Sequence, residues 1–237
     1  MMTARNLPTL AVVLSLLASV AFVETGSAQA EDPRSEGPTQ PGDLKLVVPP
    51  IQQSRTTSCG EAAIAMAYDY AYPEDAISEE PVIEYAKSEG LYTPQFAPFT
   101  SPVHMVTIAQ DFAGQVETGN VKSSAEGLTL LTQELQVGQP VIIDITTYLG
   151  DLSSGAHFVL VTGLSIDPLN GTSTISYDNP LTGELESANW AGSEGVWNAW
   201  ESNGDPGGSG WWLVIPMPGS ASNSRAMRTS GRLKLAG

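Results

Sequence analysis

The strongest constraint on the fold is a change of hydrophobic period halfway along the chain. From residue 59 to about residue 138, apolar side chains recur at the spacing of amphipathic helices. From residue 140 onwards, the apolar runs are short, rich in Val, Ile and Thr, and separated by Gly, Pro, Asn and Asp, which is typical of strands. Helices followed by a meander of strands predict an α+β domain.

Start and stop residues divide the two halves into elements. Ser or Pro opens three of the helical stretches and Gly closes them, as at Gly90, Gly114 and Gly138. We expect helices over residues 59–72, 78–88, 101–114 and 124–138, and strands over residues 46–48, 140–146, 156–162, 172–177 and 211–215.

The N-terminal residues are typical of a secretory signal. A weakly basic start is followed by an apolar run from Leu10 to Val23 and by the small-x-small residues Ala28–Ala30. An uncleaved membrane anchor is the alternative, but the run is short for a span and breaks at Glu24. We therefore predict a signal peptide over residues 1–30 and an exported protein, either periplasmic or secreted.

Composition delimits the mature domain. Residues 31–44 are rich in Pro, Gly and charge and predict a flexible leader, and the small polar residues 218–237 predict a disordered tail. The remaining residues 45–217 are enough for one domain with a core, which we expect to be a monomer.

The 26 acidic and 10 basic residues give a formal charge of −16, which excludes nucleic acid and, after signal cleavage, anionic membrane as partners.

Cys59 is the only cysteine in the chain. Cysteines of exported proteins usually pair, so a lone one is a buried small hydrophobe, an intermolecular crosslink or a reactive thiol. Its position favours the reactive thiol, because a helix N-terminus stabilises negative charge and lowers the thiol pKa. Gly60, directly after it, would leave room for a substrate backbone.

A thiol nucleophile needs a base, and the chain has two histidines, His104 and His157. His104 lies in a predicted helix, where a packed or solvated role is expected. His157 starts an apolar strand after small residues, so the rim of a sheet would hold its ring rigidly. Asp178 or Asn179, at the end of the next strand, could accept from the ring N–H, although both residue types are also common in turns.

Acyl transfer also needs hydrogen-bond donors for the oxyanion. The backbone N–H of Cys59 can be one donor, and a side-chain amide close upstream can be the other. Gln53 stands six residues before the thiol, and Gln52 is its neighbour.

Four short motifs in this order resemble a known family. They are Gln53 with Cys59-Gly60, Gly138 with Pro140, Ala156-His157 before an apolar strand, and Tyr177-Asp178-Asn179-Pro180 with Gly183. The set resembles the peptidases that trim bacteriocin leader peptides after a double glycine, and most of all their free-standing, exported relatives. The resemblance covers about residues 45–217 and implies a papain-like fold, with a Cys-bearing helix packed on an antiparallel sheet that carries the His.

The resemblance also implies a role for each matching residue. Cys59 would be the nucleophile, His157 the base and Gln53 an oxyanion donor. The family's orienting residue is an acid before proline, whereas here Asn179 directly precedes Pro180. If the family motif is aligned on its proline, Asn179 is the orienting residue. If it is aligned on its acid, Asp178 is. A bulge would exchange the two, and we lean to Asn179.

The predicted function is a thiol-dependent peptidase or amidase that acts on a peptide or protein substrate without a cofactor. No metal-ligand spacing is present in the sequence, so we predict no metal. Two alternatives remain. One is a non-catalytic module on the same fold that binds peptide or cell-wall material, and the other is a transglutaminase-like acyltransferase that uses the same residues.

Overall fold

The structure is a computed structural model, and it describes residues 43–97 and 99–219. Its elements, in chain order, are β1 (Leu44–Lys45), α1 (Cys59–Ala71), α2 (Glu79–Ser88), α3 (Pro102–Ala113), β2 (Glu117–Asn120), α4 (Ser124–Gln136), β3 (Val141–Tyr148), β4 (Asp151–Asp167), β5 (Thr172–Asn179), β6 (Glu184–Asn189), α5 (Val196–Glu201) and β7 (Trp211–Val214). The predicted signal peptide, most of the leader and most of the tail lie outside the described residues.

The four predicted helices are confirmed, and their ends follow local chemistry. Ser101 and Ser123 each accept a hydrogen bond from a backbone N–H of the first turn, at 3.4 and 3.3 Å respectively. Gly114 ends α3 with a φ of 73°, a conformation that favours glycine. Local capping thus marks the starts of α3 and α4 and the end of α3.

The strands of the described residues form one antiparallel sheet of seven strands. Its order is β2-β7-β3-β4-β5-β6, with β1 pairing separately with β4. The predicted strands β3, β4 and β5 are sequential neighbours and continue into β6, whereas β7, predicted as the next strand of the meander, lies on the other side of β3. β4 is the longest strand of the sheet. Its pairing with β5 shifts register between Val161 and Gly163.

Helix α1 packs on β3 and β4 and against α2 and α3. Helix α1 is buried on almost every side, and its buried residues include the small Ala62, Ala63, Ala65 and Ala67. The start of α1 therefore sits directly over β4, the strand that contains His157. This confirms the predicted α+β class, with the Cys-bearing helix packed on the antiparallel sheet.

Gly60 is required by this close packing. A Cβ at Gly60 would lie 2.6 Å from Met105 Sδ and 3.2 Å from Phe158 Cδ2. The direction in which a side chain at residue 60 would point is thus filled by two core side chains, while Gly60 itself lines the cavity beside Cys59.

We expect Gly60→Ala to lower the free energy of unfolding by about 1–3 kcal/mol, because Met105 and Phe158 must shift in a filled core. Urea denaturation measures this change. Gly204→Ala is the control, since no atom lies within 4 Å of a Cβ built there. Equal stability of the two variants would contradict the packing argument.

Three details differ from expectation. The predicted strand 46–48 is instead the short strand β1, with a single bridge at Leu46. Leu44, placed in the flexible leader, pairs with Leu164 of β4, so ordered pairing begins inside that segment. The short elements β2, β6 and α5 were not predicted. No helix within residues 43–97 and 99–219 is long and apolar enough to cross a membrane.

Candidate active site

Cys59 is the first residue of α1, and a buried carboxyl on α2 holds the loop that leads to it. Glu79 Oε2 accepts from the backbone N–H of Ser54 at 2.8 Å, and Glu79 Oε1 accepts from the Ser58 hydroxyl at 2.5 Å. Both bonds tie the loop to α2 on either side of Arg55. The nucleophile candidate therefore has a fixed backbone position.

The thiol of Cys59 lies against β4 at the residue after His157. The backbone N–H groups of Phe158 and Gly60 interact with the sulfur and lower its pKa. Burial is the larger effect and, with the charges of Glu61 and Asp144, raises the pKa of Cys59 to about 12. The expected lowering of the thiol pKa by the helix start is thus wrong for the free protein, because desolvation outweighs the N-terminal donors.

His157 and Asn179 form a direct hydrogen bond of 2.8 Å between Nε2 and Oδ1. The backbone N–H of Leu181 also donates to Oδ1, at 2.9 Å, and Nδ2 donates to Glu186 Oε1 at 2.9 Å. These two bonds fix the orientation of the Asn179 amide. His157 must then donate from Nε2, which leaves Nδ1 with the lone pair that can accept a proton.

Glu186, on β6, is a positioning residue that the sequence did not predict. Besides Asn179, its carboxyl accepts from the hydroxyls of Thr182 at 2.8 Å and Tyr177 at 3.2 Å. Three donors thus converge on one carboxyl, which acts on His157 through the Asn179 amide. The turn from Pro180 to Gly183 was the sequence feature that could have indicated Glu186, because a hairpin turn places the next strand beside β5.

Burial lowers the pKa of His157, while its bond to Asn179 and the charge of Glu186 partly oppose this shift. A base works when it is neutral. We therefore expect the acidic limb of the kcat/KM profile to lie below pH 6.5, the ordinary pKa of histidine.

Glu186→Gln removes a charge that raises the pKa of His157, so the acidic limb should shift further toward low pH. Profiles of kcat/KM against pH for both proteins measure this shift. An acidic limb above pH 7 in the wild-type profile would contradict the lowering of the His157 pKa by burial. A shift toward higher pH in Glu186→Gln would contradict the role of the Glu186 charge.

Asp178, the alternative orienting residue, does not hydrogen-bond His157. It is buried, and within the described part of the chain neither of its carboxyl oxygens has a hydrogen-bond partner. Burial raises the pKa of Asp178 to about 7. Neighbouring residues on a strand face opposite sides of the sheet, so β5 presents Asn179 rather than Asp178 to the histidine.

The raised pKa of Asp178 predicts a pH-dependent stability. The folded protein keeps this proton to higher pH than the unfolded chain does, so the contribution of Asp178 to stability is fully present below about pH 4, falls as pH rises toward 7 and is lost above it. We expect the Asp178→Asn variant to be more stable than wild type at pH 8 by roughly 2–4 kcal/mol. Urea unfolding at pH 5 and pH 8 tests this, and equal stability of the two proteins at pH 8 would refute it.

Gln53 lines the same cavity as His157 and is tied to the turn after Asn179. Its backbone N–H donates to Pro180 O at 2.8 Å, and its Nε2 donates to Arg55 O at 2.7 Å. An amide nitrogen carries two hydrogens, so one remains for a ligand in the cleft. Gln52 packs instead against Gly183, where a Cβ would lie 2.6 Å from Gln52 Cβ.

One cavity of about 320 Å³ brings three of the predicted site residues together, while Asp178 and Asn179 are not in its lining. Its lining includes Gln53, Cys59 and His157, with Leu181 and Asp205. His104 is not in this lining, and its Nδ1 lies 2.9 Å from Leu91 O. In the described part of the chain no group of three or more His, Cys, Asp or Glu residues could hold a metal ion.

Comparison with solved structures aligns 81% of this chain with UfSP from C. elegans, at 13% identity and a TM-score of 0.42. The aligned part spans 36% of that protein's chain. Among curated proteins, no sequence matches this chain.

Comparison with family models gives a match over residues 45–205, to the Peptidase_C39 like family. The match covers more than half of the chain and includes every residue of the Cys59, His157 and Asn179 constellation. It agrees with the family resemblance that the sequence motifs indicate. The chain therefore belongs to the Peptidase_C39 like family.

Proposed function

We propose that this protein is an exported peptidase in which Cys59, His157 and Asn179 form a catalytic triad. The main support is the 2.8 Å bond between His157 and Asn179, at a cavity whose lining includes Cys59. Export is supported by the signal-like residues 1–30. The substrate is a peptide or protein, and the acting form is a monomer.

In the proposed reaction, His157 Nδ1 takes the thiol proton as Cys59 Sγ attacks the substrate carbonyl. The thiol and the imidazole are both neutral beforehand, in accord with the raised and lowered pKa values of Cys59 and His157. His157 then gives the proton to the leaving amine, and a thioester forms on Cys59. Water, activated by His157, hydrolyses that thioester.

The oxyanion would be stabilised by the backbone N–H of Cys59 and by the free N–H of Gln53. The backbone N–H is available because it opens α1 and has no carbonyl partner within the helix. The bond from Gln53 to Arg55 O holds the amide in place before substrate arrives. Both donors are fixed in advance, which is what makes an oxyanion hole effective.

An acyltransferase would use the same residues, since only the group that resolves the thioester differs. Cleavage of a peptide mixture in H₂¹⁸O separates the two reactions. Hydrolysis places ¹⁸O in the new C-terminal carboxyl group, whereas transfer to an added primary amine places that amine there. Mass spectrometry should find ¹⁸O-labelled products with the wild type and none with Cys59→Ala. Amine conjugates without labelled acids would support the transferase, and an unchanged biological activity of Cys59→Ala would support a binding module.

A further inference from the structure

The cavity has a charged end that the proposed reaction does not use. Asp205 is the only acidic side chain among its described lining residues, and no lysine or arginine lines it. Asp205 follows α5 and lines the same cavity as His157. A carboxylate at the edge of a peptide cleft would attract the cationic parts of a substrate.

A second carboxyl lies behind Asp205. Asp144, on β3, is fully buried, and no side chain among the described residues hydrogen-bonds its carboxyl, although the backbone N–H of His157 lowers its pKa in opposition to burial. Its carboxyl faces the loop of Asp205, because a Cβ at Gly208 would collide with both Asp144 Oδ2 and Asn203 Oδ1. A buried unpaired carboxyl is costly unless a cation or a proton compensates it.

The loop holds these groups in fixed positions. Asn203 Nδ2 donates to Asp144 O at 2.8 Å and to Trp200 O at 3.0 Å, and the backbone N–H of Asp205 donates to Asn203 Oδ1 at 3.2 Å. The charge of Asp205 also adds to the burial that raises the pKa of Asp144. The two carboxyls are therefore electrostatically coupled.

We propose that Asp205, backed by Asp144, is a subsite that binds the guanidinium or ammonium group of a basic residue in the peptide substrate. This rests on the proposed function, because the subsite adjoins the proposed nucleophile. An organic cation fits better than a metal ion, since no third carboxylate, imidazole or thiolate of the described residues joins the pair. The subsite would select peptides with Arg or Lys close to the bond that is cut.

The first experiment compares peptides that carry arginine or citrulline, which has nearly the same shape without the charge, at each position around the cleaved bond. At one position or more, kcat/KM for the arginine peptide should exceed that for the citrulline peptide by about tenfold or more. This ratio should fall to about one in Asp205→Asn and persist in the control Glu201→Gln, which removes an exposed charge outside the cavity lining. A ratio near one at every position in wild type, or an unchanged ratio in Asp205→Asn, would overturn the subsite.

The second experiment does not depend on cleavage. Acetyl-arginine amide and acetyl-citrulline amide are titrated into Cys59→Ala and into Cys59→Ala/Asp205→Asn, with binding followed by NMR. The arginine probe should bind the single variant more tightly than the citrulline probe, and the double variant should bind both equally. Preference that survives in the double variant, or that disappears when EDTA removes bound metal, would overturn the proposal. A failed peptidase assay with this arginine preference intact would count against the proposed function alone.

Discussion

Replacement of Cys59 by alanine is expected to lower kcat/KM for peptide hydrolysis by at least about 10⁴-fold. The thiol is the nucleophile of the proposed site, and no second cysteine exists in the chain. Removal of a nucleophile leaves only binding and oxyanion stabilisation, which accelerate hydrolysis weakly. The measurement is peptide cleavage under conditions where wild type turns over many times.

Two controls make this result specific. The Cys59→Ala variant should keep its circular dichroism spectrum, because it removes a single partly buried sulfur atom. His104→Gln should retain wild-type activity, since His104 does not line the cavity, whereas His157→Gln should lose about as much activity as Cys59→Ala. Cleavage by well-folded Cys59→Ala at the wild-type rate would remove Cys59 from the mechanism.

The second large effect is expected at Asn179. Asn179→Ala should lower kcat by about 10²-fold, because the Nε2–H of His157 loses its acceptor and the ring loses the contact that fixes its tautomer. Asn179→Asp should recover most of this loss, since a carboxylate oxygen can accept the same bond. Steady-state kinetics of the three proteins measure these changes.

Asp178→Asn is the matched control, because it changes the neighbouring Asx residue and leaves the bond between His157 and Asn179 intact. Its kcat should stay within about threefold of wild type. The substitution removes no contact to His157 or Cys59, so its effect on catalysis should be small. If Asp178→Asn lowered kcat more than Asn179→Ala did, the orienting role would belong to Asp178.

The sequence predicted the long elements of the fold because they carry strong local signals. Helices α1 to α4 have apolar periodicity with Ser, Pro or Gly at their ends, and β3, β4 and β5 are rich in Val, Ile and Thr. Strands β2 (ETGN) and β6 (ELESAN) are polar and exposed on alternate residues, so their pairing partners define them rather than their composition.

The site was predictable in part for the same reason. Cys59 and His157 stand out because the chain contains one cysteine and two histidines. The choice between Asp178 and Asn179 depends on register, and the shift between Val161 and Gly163 of β4 is of the kind that a pattern of alternating residues does not reveal. The ionisation of Cys59 was mispredicted because burial is a tertiary property, which a helix-start signal cannot include.

The candidate site combines three residues that are close together in the sequence with one that is far from them. His157, Asn179 and Glu186 lie on the three successive strands β4, β5 and β6, which two hairpins bring together within a short length of chain. Cys59 joins them from about a hundred residues earlier. Local pairings form faster than long-range ones, so the base and its supports can assemble while the nucleophile is still unplaced. In the proposed mechanism, a chain whose first helix had not yet docked would lack its nucleophile, and hydrolysis would begin only once that docking completed the native state.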